Sequence, residues 1–193
     1  TQTMNSALEA APELITSFSD TGLSKQLAAV TKAISVQAKL STQRQVFFVS
    51  MGGFDTHDNQ LNTHPALLST LAQGLNEFNS AMNELNMADK VTSFTMSDFG
   101  RTLTSNGDGT DHGWAGNQIV MGGAVKGANI YGELLTQHLG GPQDTGRGRL
   151  IPSVANEQYF ATLAKWFGVP ASELGDIFPN LRYFNQSTLD FMV

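Results

Sequence analysis

The chain has 193 residues, of which 40% are hydrophobic and 15% charged, with 19 glycines and a formal net charge of -6. That length suits roughly one to two domains, and the acidic balance with 11 scattered Lys and Arg excludes a nucleic-acid surface. The lack of cysteine removes disulfides, thiolate catalysis and Cys-type zinc sites together, and no window reaches the ~20 apolar residues of a membrane span.

Residues 1–22 mix small polar residues with short apolar patches and read as a weak helix or an arm. The segment begins at Thr1 without a signal peptide's basic and apolar regions, as a processed or excised piece would. Leu23, Leu27, Val30 and Ile34 fall on one helical face, which predicts a helix from about Ser24 to Ala38. Gln45 to Met51 is β-branched and aromatic and stops at Gly52 and Gly53, the pattern of a buried strand. Thr63 is a candidate N-cap with Pro65 in the first turn. From there Leu67, Leu68, Leu71, Leu75, Phe78, Met82 and Leu85 keep helical register for about five turns. Val91 to Met96 reads as the next strand. Strand, helix and strand form a βαβ unit, which predicts parallel strands and acidic loops that open at the same sheet edge.

Beyond Gly116 the pattern weakens. Gln118 to Val125 is short and apolar, Asn129 to Leu135 is a candidate strand, and residues 140–149 form a loop. Glu157 to Phe167 carries Tyr159, Phe160, Leu163, Trp166 and Phe167 on a broad apolar face, ended by Gly168 and Pro170. A short helical turn near Ser172 to Leu174 precedes the C-terminal segment. There is no internal repeat and no linker that splits the chain.

Three segments concentrate metal-ligand chemistry. GGFDTHDNQ delivers Asp55, His57 and Asp58, SDFGRT delivers Asp98 and Arg101, and TDHGWAG delivers Asp111 and His112. Aspartate and neutral imidazole bind Zn²⁺, Mn²⁺ or Fe²⁺, and carboxylates alone suit Mg²⁺ or Ca²⁺. Each segment alone has a plain structural alternative: an Asx turn at Asp55, a cap at Asp98, a surface turn at Asp111 and His112. Their joint occurrence after successive strands favours a metal site built from Asp55, His57, Asp98 and His112, with Asp111 or Asp58 behind it. Arg101 either holds a phosphate or sulfate oxygen or pairs with Asp98 or Asp108. Arg147 and Arg149 concentrate positive charge locally and keep an anionic small substrate open. His64 reads as a residue of the helix start, His138 as solvent-facing, and Trp114 as a pocket wall or a core cover. No GxSxG motif is present, and Thr56 is the one hydroxyl placed between two of the ligand candidates.

Six ordered blocks, GGFDTHDNQ, SDFGRT, TDHGWAG, VKGANIYGE, GRGRLIP and YFATLAKWFGV followed by FPNL, resemble the C-terminal half of the DUF1501 proteins over about Arg44 to Phe184. These are bacterial proteins related to the alkaline phosphatase and sulfatase superfamily. The resemblance implies an α/β fold, with a doubly wound, mostly parallel sheet flanked by helices and a metal site at the carboxyl ends of its strands. The chain would then be a single domain or the C-terminal part of one, with residues 1–43 an arm and helix and residues 44–193 the family core. Asp55 and His57 match the superfamily's first ligand pair, Asp98 its second block, and His112 its late ligand. Phe99 departs from the pattern, standing where the second block has a liganding His or Asn, which implies a one-metal or altered site. Nothing in residues 1–43 resembles the segment that bears the superfamily nucleophile.

These readings imply a hydrolase of phosphate or sulfate esters that uses a divalent ion, Zn, Mn, Ca or Mg, with Arg101 as an oxyanion contact. The alternative is a non-catalytic exported or envelope binding protein with a decayed site. The resemblance implies an exported, periplasmic protein. A chain lacking the N-terminal half would self-associate or take a second chain to cover an exposed apolar face.

Overall fold

The computed structural model describes residues 2–40 and 42–193, the side chains of residues 2–4 excepted. It is mixed α/β, with helices and small antiparallel sheets, in two compact units, Thr1–Val91 and Thr92–Val193.

The first unit is helical: α1 Gln2–Glu9, α2 Gly22–Ser35 and α3 Gln60–Glu84. Thr21 caps α2, its hydroxyl accepting the Ser24 N–H at 3.0 Å, which satisfies one of the orphan donors of the first turn. The predicted helix is therefore found, starting two residues early and passing into a 3₁₀ turn at Gln37–Leu40. α3 runs unbroken through Leu75, as its periodicity predicts. It begins at Gln60 after a left-handed Asn59, φ 47°, so Pro65 lies inside the helix rather than in its first turn. Leu23, Leu27 and Ile34 pack on Phe78, Ala81 and Met82 as the core. Gly74 lets the two helices approach, because a Cβ there would sit 3.0 Å from Leu23 Cδ2. Two carboxylates seven residues apart on α3 hold the preceding segment. Glu84 accepts the Ile15 N–H at 2.6 Å and the Thr16 N–H at 2.9 Å, and Glu77 accepts the Ser24 hydroxyl at 2.6 Å and the Ser19 N–H at 3.2 Å.

The segment Gln45 to Met51, expected as a buried strand, carries no ladder. Val49 and Met51 pack against the core, whereas Val46 and Phe48 are 78% and 80% exposed. That is the two-sided alternation of a strand with one face covered. The Gln26 side chain does what a neighbouring strand would do, donating to the Ser50 carbonyl at 2.8 Å and accepting the Ser50 N–H at 2.9 Å.

The second unit holds β1 Ser93–Phe94, β2 Gly100–Ser105, β3 Thr110–Gly113, β4 Val120–Met121, α4 Asn156–Phe167 and α5 Leu174–Ile177. The predicted strand Val91 to Met96 contracts to β1, which pairs antiparallel with β4. Asn129 to Leu135 is irregular, with Ile130 and Leu134 exposed. Both sheets among the described residues are two-stranded and antiparallel, so they do not establish the parallel sheet that the resemblance implies. Parallel strands need apolar cover on both faces, and β2, Gly-Arg-Thr-Leu-Thr-Ser, is too polar to supply it.

α4 forms where its apolar face predicts, and its C-cap Gly168 adopts φ 108°, the left-handed conformation glycine reaches without strain. Tyr159 and Leu163 pack on Phe191, while Ala161 packs on Leu174 and Leu181. The buried polar residues of this helix tie down the C-terminal segment: Gln158 donates to the Gln186 carbonyl at 2.7 Å, and the Thr162 hydroxyl accepts the Leu189 N–H at 2.7 Å. Among the described residues no helix is long and apolar enough to cross a membrane.

Candidate metal centre

In the first unit the chain leaves Gly53 at φ 94° and turns tightly, with the Thr56 N–H on the Phe54 carbonyl at 2.9 Å. This turn puts Asp55 and His57, two residues apart, on the same side. His57 Nε2 lies 2.9 Å from Asp55 Oδ1, with both side chains largely exposed. An exposed pair of this kind contributes about 0–1 kcal/mol, so it is a weak reason for the turn to exist. It does fix chemistry. An imidazole that donates from Nε2 to a carboxylate presents its Nδ1 lone pair outward, and the second Asp55 oxygen is a further donor atom. Thr56 between them is buried, Asp58 is exposed in the following bend, and His64 lies in α3, edge-on to Phe54 at 5.9 Å.

In the second unit SDFGRT and TDHGW turn out to be the two arms of one hairpin. Arg101 stands directly opposite His112, Gly100 opposite Gly113, and a register shift separates them from Ser105 and Thr110. The glycines are required by contact rather than by turn geometry. A Cβ on Gly100 would lie 1.9 Å from the Ala115 carbonyl oxygen, and one on Gly113 would lie 2.9 Å from Arg101 backbone atoms. The connecting turn is closed by the Asn106 N–H on the Gly109 carbonyl at 3.0 Å and by the Gly109 N–H on Asn106 Oδ1 at 3.0 Å.

Phe99 gains a role here that its departure from the family pattern did not suggest. Its ring stacks on the His112 imidazole at 3.9 Å with an interplanar angle of 2°. The Arg101 guanidinium lies 5.1 Å from the centre of the same ring. Aromatic pairs of this type contribute about 0.5–1.5 kcal/mol beyond their burial, enough to hold an exposed imidazole in one plane. Arg101 Nη1 also donates to the Thr110 carbonyl at 2.7 Å, which ties the two strands together. Asp98 is exposed in the bend before β2. Asp111 meets Arg147 at 3.4 Å, and His138 lies in an exposed turn.

Asp55 and His57 in the first unit, and His112 in the second, are each exposed, and each offers a ligand atom of the kind a divalent ion takes. Imidazole and carboxylate together are the donor types of catalytic zinc and non-haem iron centres, which leave positions open for water or substrate. Asp98, the fourth ligand expected from the sequence, is an exposed carboxylate of the second unit. Phe99 could have been found from sequence only by knowing that His112 pairs across from Arg101.

No curated protein and no solved structure matches the chain. The family model described as protein of unknown function (DUF1501) matches residues 19–145, more than half of the chain. The motifs around Asp55, Asp98 and His112 all fall inside that match, and the chain belongs to the DUF1501 family.

Proposed function

We propose that this chain is the metal-binding part of a hydrolase acting on phosphate or sulfate esters, with Asp55, His57, Asp98 and His112, the ligand candidates of the sequence blocks, as the residues that would hold the ion. The observation that carries the reading is the Asp55–His57 pair, a carboxylate and an imidazole that one turn brings within 2.9 Å of each other. A divalent ion held there would polarise an ester oxygen and lower the pKa of a bound hydroxyl or water. Asp55 orients His57 through the 2.9 Å contact, and Phe99 keeps the His112 ring in one plane. Asp98 is a further carboxylate for the same ion or for a bound water. A doubly wound superfamily sheet and an exported location are parts of this reading, supported by the ordered sequence blocks. The second reading, a binding protein with a decayed site, is favoured by one observation: Phe99 stacks where the superfamily places a ligand.

Metal analysis after purification without added metal, followed by a panel of aryl phosphate and aryl sulfate esters, tests the proposal. Stoichiometric metal that is lost in Asp55→Ala and His112→Ala, together with turnover of a panel member, is the expected result. No retained metal and no turnover across the panel would overturn the hydrolase and leave the binding protein with a decayed site.

A further inference from the structure

One cavity lies wholly within the second unit. It measures about 60 Å³ and is lined by Thr102, Thr104, Asp111, His112, Arg147 and Arg149. A water needs about 10–15 Å³ on this measure, so there is room for roughly four or five non-hydrogen atoms. Two guanidiniums face one carboxylate, which leaves the lining net positive even with a neutral imidazole. Nor is that carboxylate a close partner. Asp111 Oδ2 is 3.4 Å from Arg147 Nη2, well beyond the ~2.7–2.9 Å of a charge-assisted hydrogen bond. Arg149 spends only Nε within the protein, donating to the Gly146 carbonyl at 3.0 Å. Its two terminal amino groups have no protein acceptor among the described residues.

The loop that presents these arginines is built to stay in place. The Asp144 carboxylate accepts the N–H groups of Gly140, Gly146 and Gly148 at 2.8, 2.7 and 2.9 Å. Arg147 is thereby held at φ 60° between Gly146 at 110° and Gly148 at 75°. Such a conformation is disfavoured for a residue with a Cβ and persists only where its surroundings enforce it. Gly148 presses against β2: its carbonyl accepts the Leu103 N–H at 3.0 Å, and a Cβ there would lie 2.6 Å from that nitrogen. Both neighbours of Arg147 are thus fixed, Gly146 by Asp144 and Arg149, and Gly148 by Asp144 and the hairpin.

We propose that this cavity is a subsite for a tetrahedral oxyanion, phosphate or sulfate, either free or as the head of a monoester, with Arg147 and Arg149 as its donors. A planar carboxylate is satisfied by one bidentate arginine, whereas a tetrahedral dianion has acceptors for two guanidiniums and for the Thr104 hydroxyl as well. The inference deepens the hydrolase reading and rests on it in one respect: His112 lines the cavity, which would set the anion beside a His112-bound metal. Arg101, whose Nη1 is held by the Thr110 carbonyl, ties the two strands of the hairpin together beside this cavity's lining strands.

The test is titration of the full chain with inorganic phosphate at constant ionic strength, followed through backbone amide shifts, with chloride as the control. It is run on chelator-treated and on metal-supplemented protein. Saturable shifts at Gly146 to Arg149 and at Thr102 to Thr104 are expected in both samples, weakened at least tenfold by Arg149→Gln and in part restored by Arg149→Lys. Arg182→Gln, remote in sequence and outside the cavity lining, should bind as the wild type does. Phenyl phosphate binding more tightly than phosphate identifies an ester head, and equal binding identifies the free ion; both support the subsite. Phosphate binding that survives the double variant Arg147→Gln, Arg149→Gln, or no saturable shift in a folded wild type, overturns it. Loss of metal binding with phosphate binding intact would remove the metal reading and leave this one standing.

Discussion

The two units solve the same problem with different materials. The first places bulky side chains, Leu23, Leu27, Ile34, Phe78 and Met82, between two long helices, so its order comes from apolar burial. The second has smaller clusters around α4. Its hairpin and loop are positioned by glycines that admit backbone against backbone, at Gly100, Gly113 and Gly148. A side-chain core tolerates polar chemistry poorly, because buried polar groups must all be satisfied. A backbone-packed region lets its side chains face solvent, and in this unit Arg147 and Arg149 do so.

The largest effect should come from breaking the first unit's packing. Phe78→Ala removes a side chain that is 3% exposed and surrounded by α2. It is expected to cost about 3–5 kcal/mol, the usual range for a buried Phe truncated to Ala. Urea unfolding followed by far-ultraviolet circular dichroism measures it. A loss below about 1 kcal/mol would mean that the helical unit is not held by this cluster, and the contrast between the units would fail.

The second unit should respond to added atoms rather than removed ones. Gly100→Ala places a methyl 1.9 Å from the Ala115 carbonyl oxygen, a separation that only backbone movement can relieve. The expected cost is about 1–3 kcal/mol, as for overpacking elsewhere. The shift should appear at His112 and Phe99, because the β2–β3 register sets their stack. Unchanged aromatic and His112 chemical shifts in Gly100→Ala would show that the stack does not depend on the close approach.

The same contrast explains how much the sequence revealed. α3 and α4 were legible because apolar residues recur at helical spacing, and a local pattern of that kind needs no knowledge of partners. The hairpin was not legible: apart from Leu103, β2 and β3 are built from Gly, Thr, Ser, His and charged residues, so no apolar alternation marks them as strands. Their pairing is specified by contacts such as Gly100 with Ala115 and Gly148 with Leu103, which lie 15 or more residues apart. Gln45 to Met51 failed in the opposite way. Its β-branched and aromatic residues are those of a strand, but composition cannot supply a neighbour with which to form a ladder. At the site, Asp55 and His57 were legible as a pair because the turn that joins them is local. The Asp144 loop was recognisable as a loop, while the carboxylate that organises it was not, since its partners are backbone N–H groups that no side-chain motif records.

A smaller effect, of opposite sign, tests the claim that the first unit is ordered by apolar burial. Thr31 in α2 is 1% exposed and its hydroxyl has no hydrogen-bond partner among the described residues. Valine has nearly the same shape without the unsatisfied group. Thr31→Val should therefore raise stability by roughly 1 kcal/mol, the lower part of the range for an unmade buried hydrogen bond. Chemical denaturation of the two forms side by side decides it, and a destabilised variant would show that the hydroxyl is satisfied in solution.

Acid titration probes a device the units share, a carboxylate that collects hydrogen bonds from neighbouring chain. The Ser24 hydroxyl, ahead of the bonds from Ser19, holds Glu77 below the ordinary glutamate value of 4.5 despite some opposing burial. Thr16 and then Ile15 do the same for Glu84. In the second unit the Gly140 N–H, followed by those of Gly146 and Gly148, holds Asp144 below the ordinary aspartate value of 3.8. A carboxylate whose folded pKa is depressed binds fewer protons folded than unfolded, so its contribution is fully present above the unfolded value and disappears as pH falls through the folded one. These groups are half-buried and still reached by solvent screening, so each contributes little, and local hydrogen exchange reads them better than global unfolding. Protection at Ile15, Thr16 and Ser19 should begin to fall near pH 4.5, and protection at Gly140, Gly146 and Gly148 only nearer pH 3.8. Asp144→Asn should expose the three glycine amides already at neutral pH and leave Ile15 and Thr16 unchanged. Loss of protection in both units together would mean that acid acts through global unfolding, and the loop's independence from the helical core would be disproved.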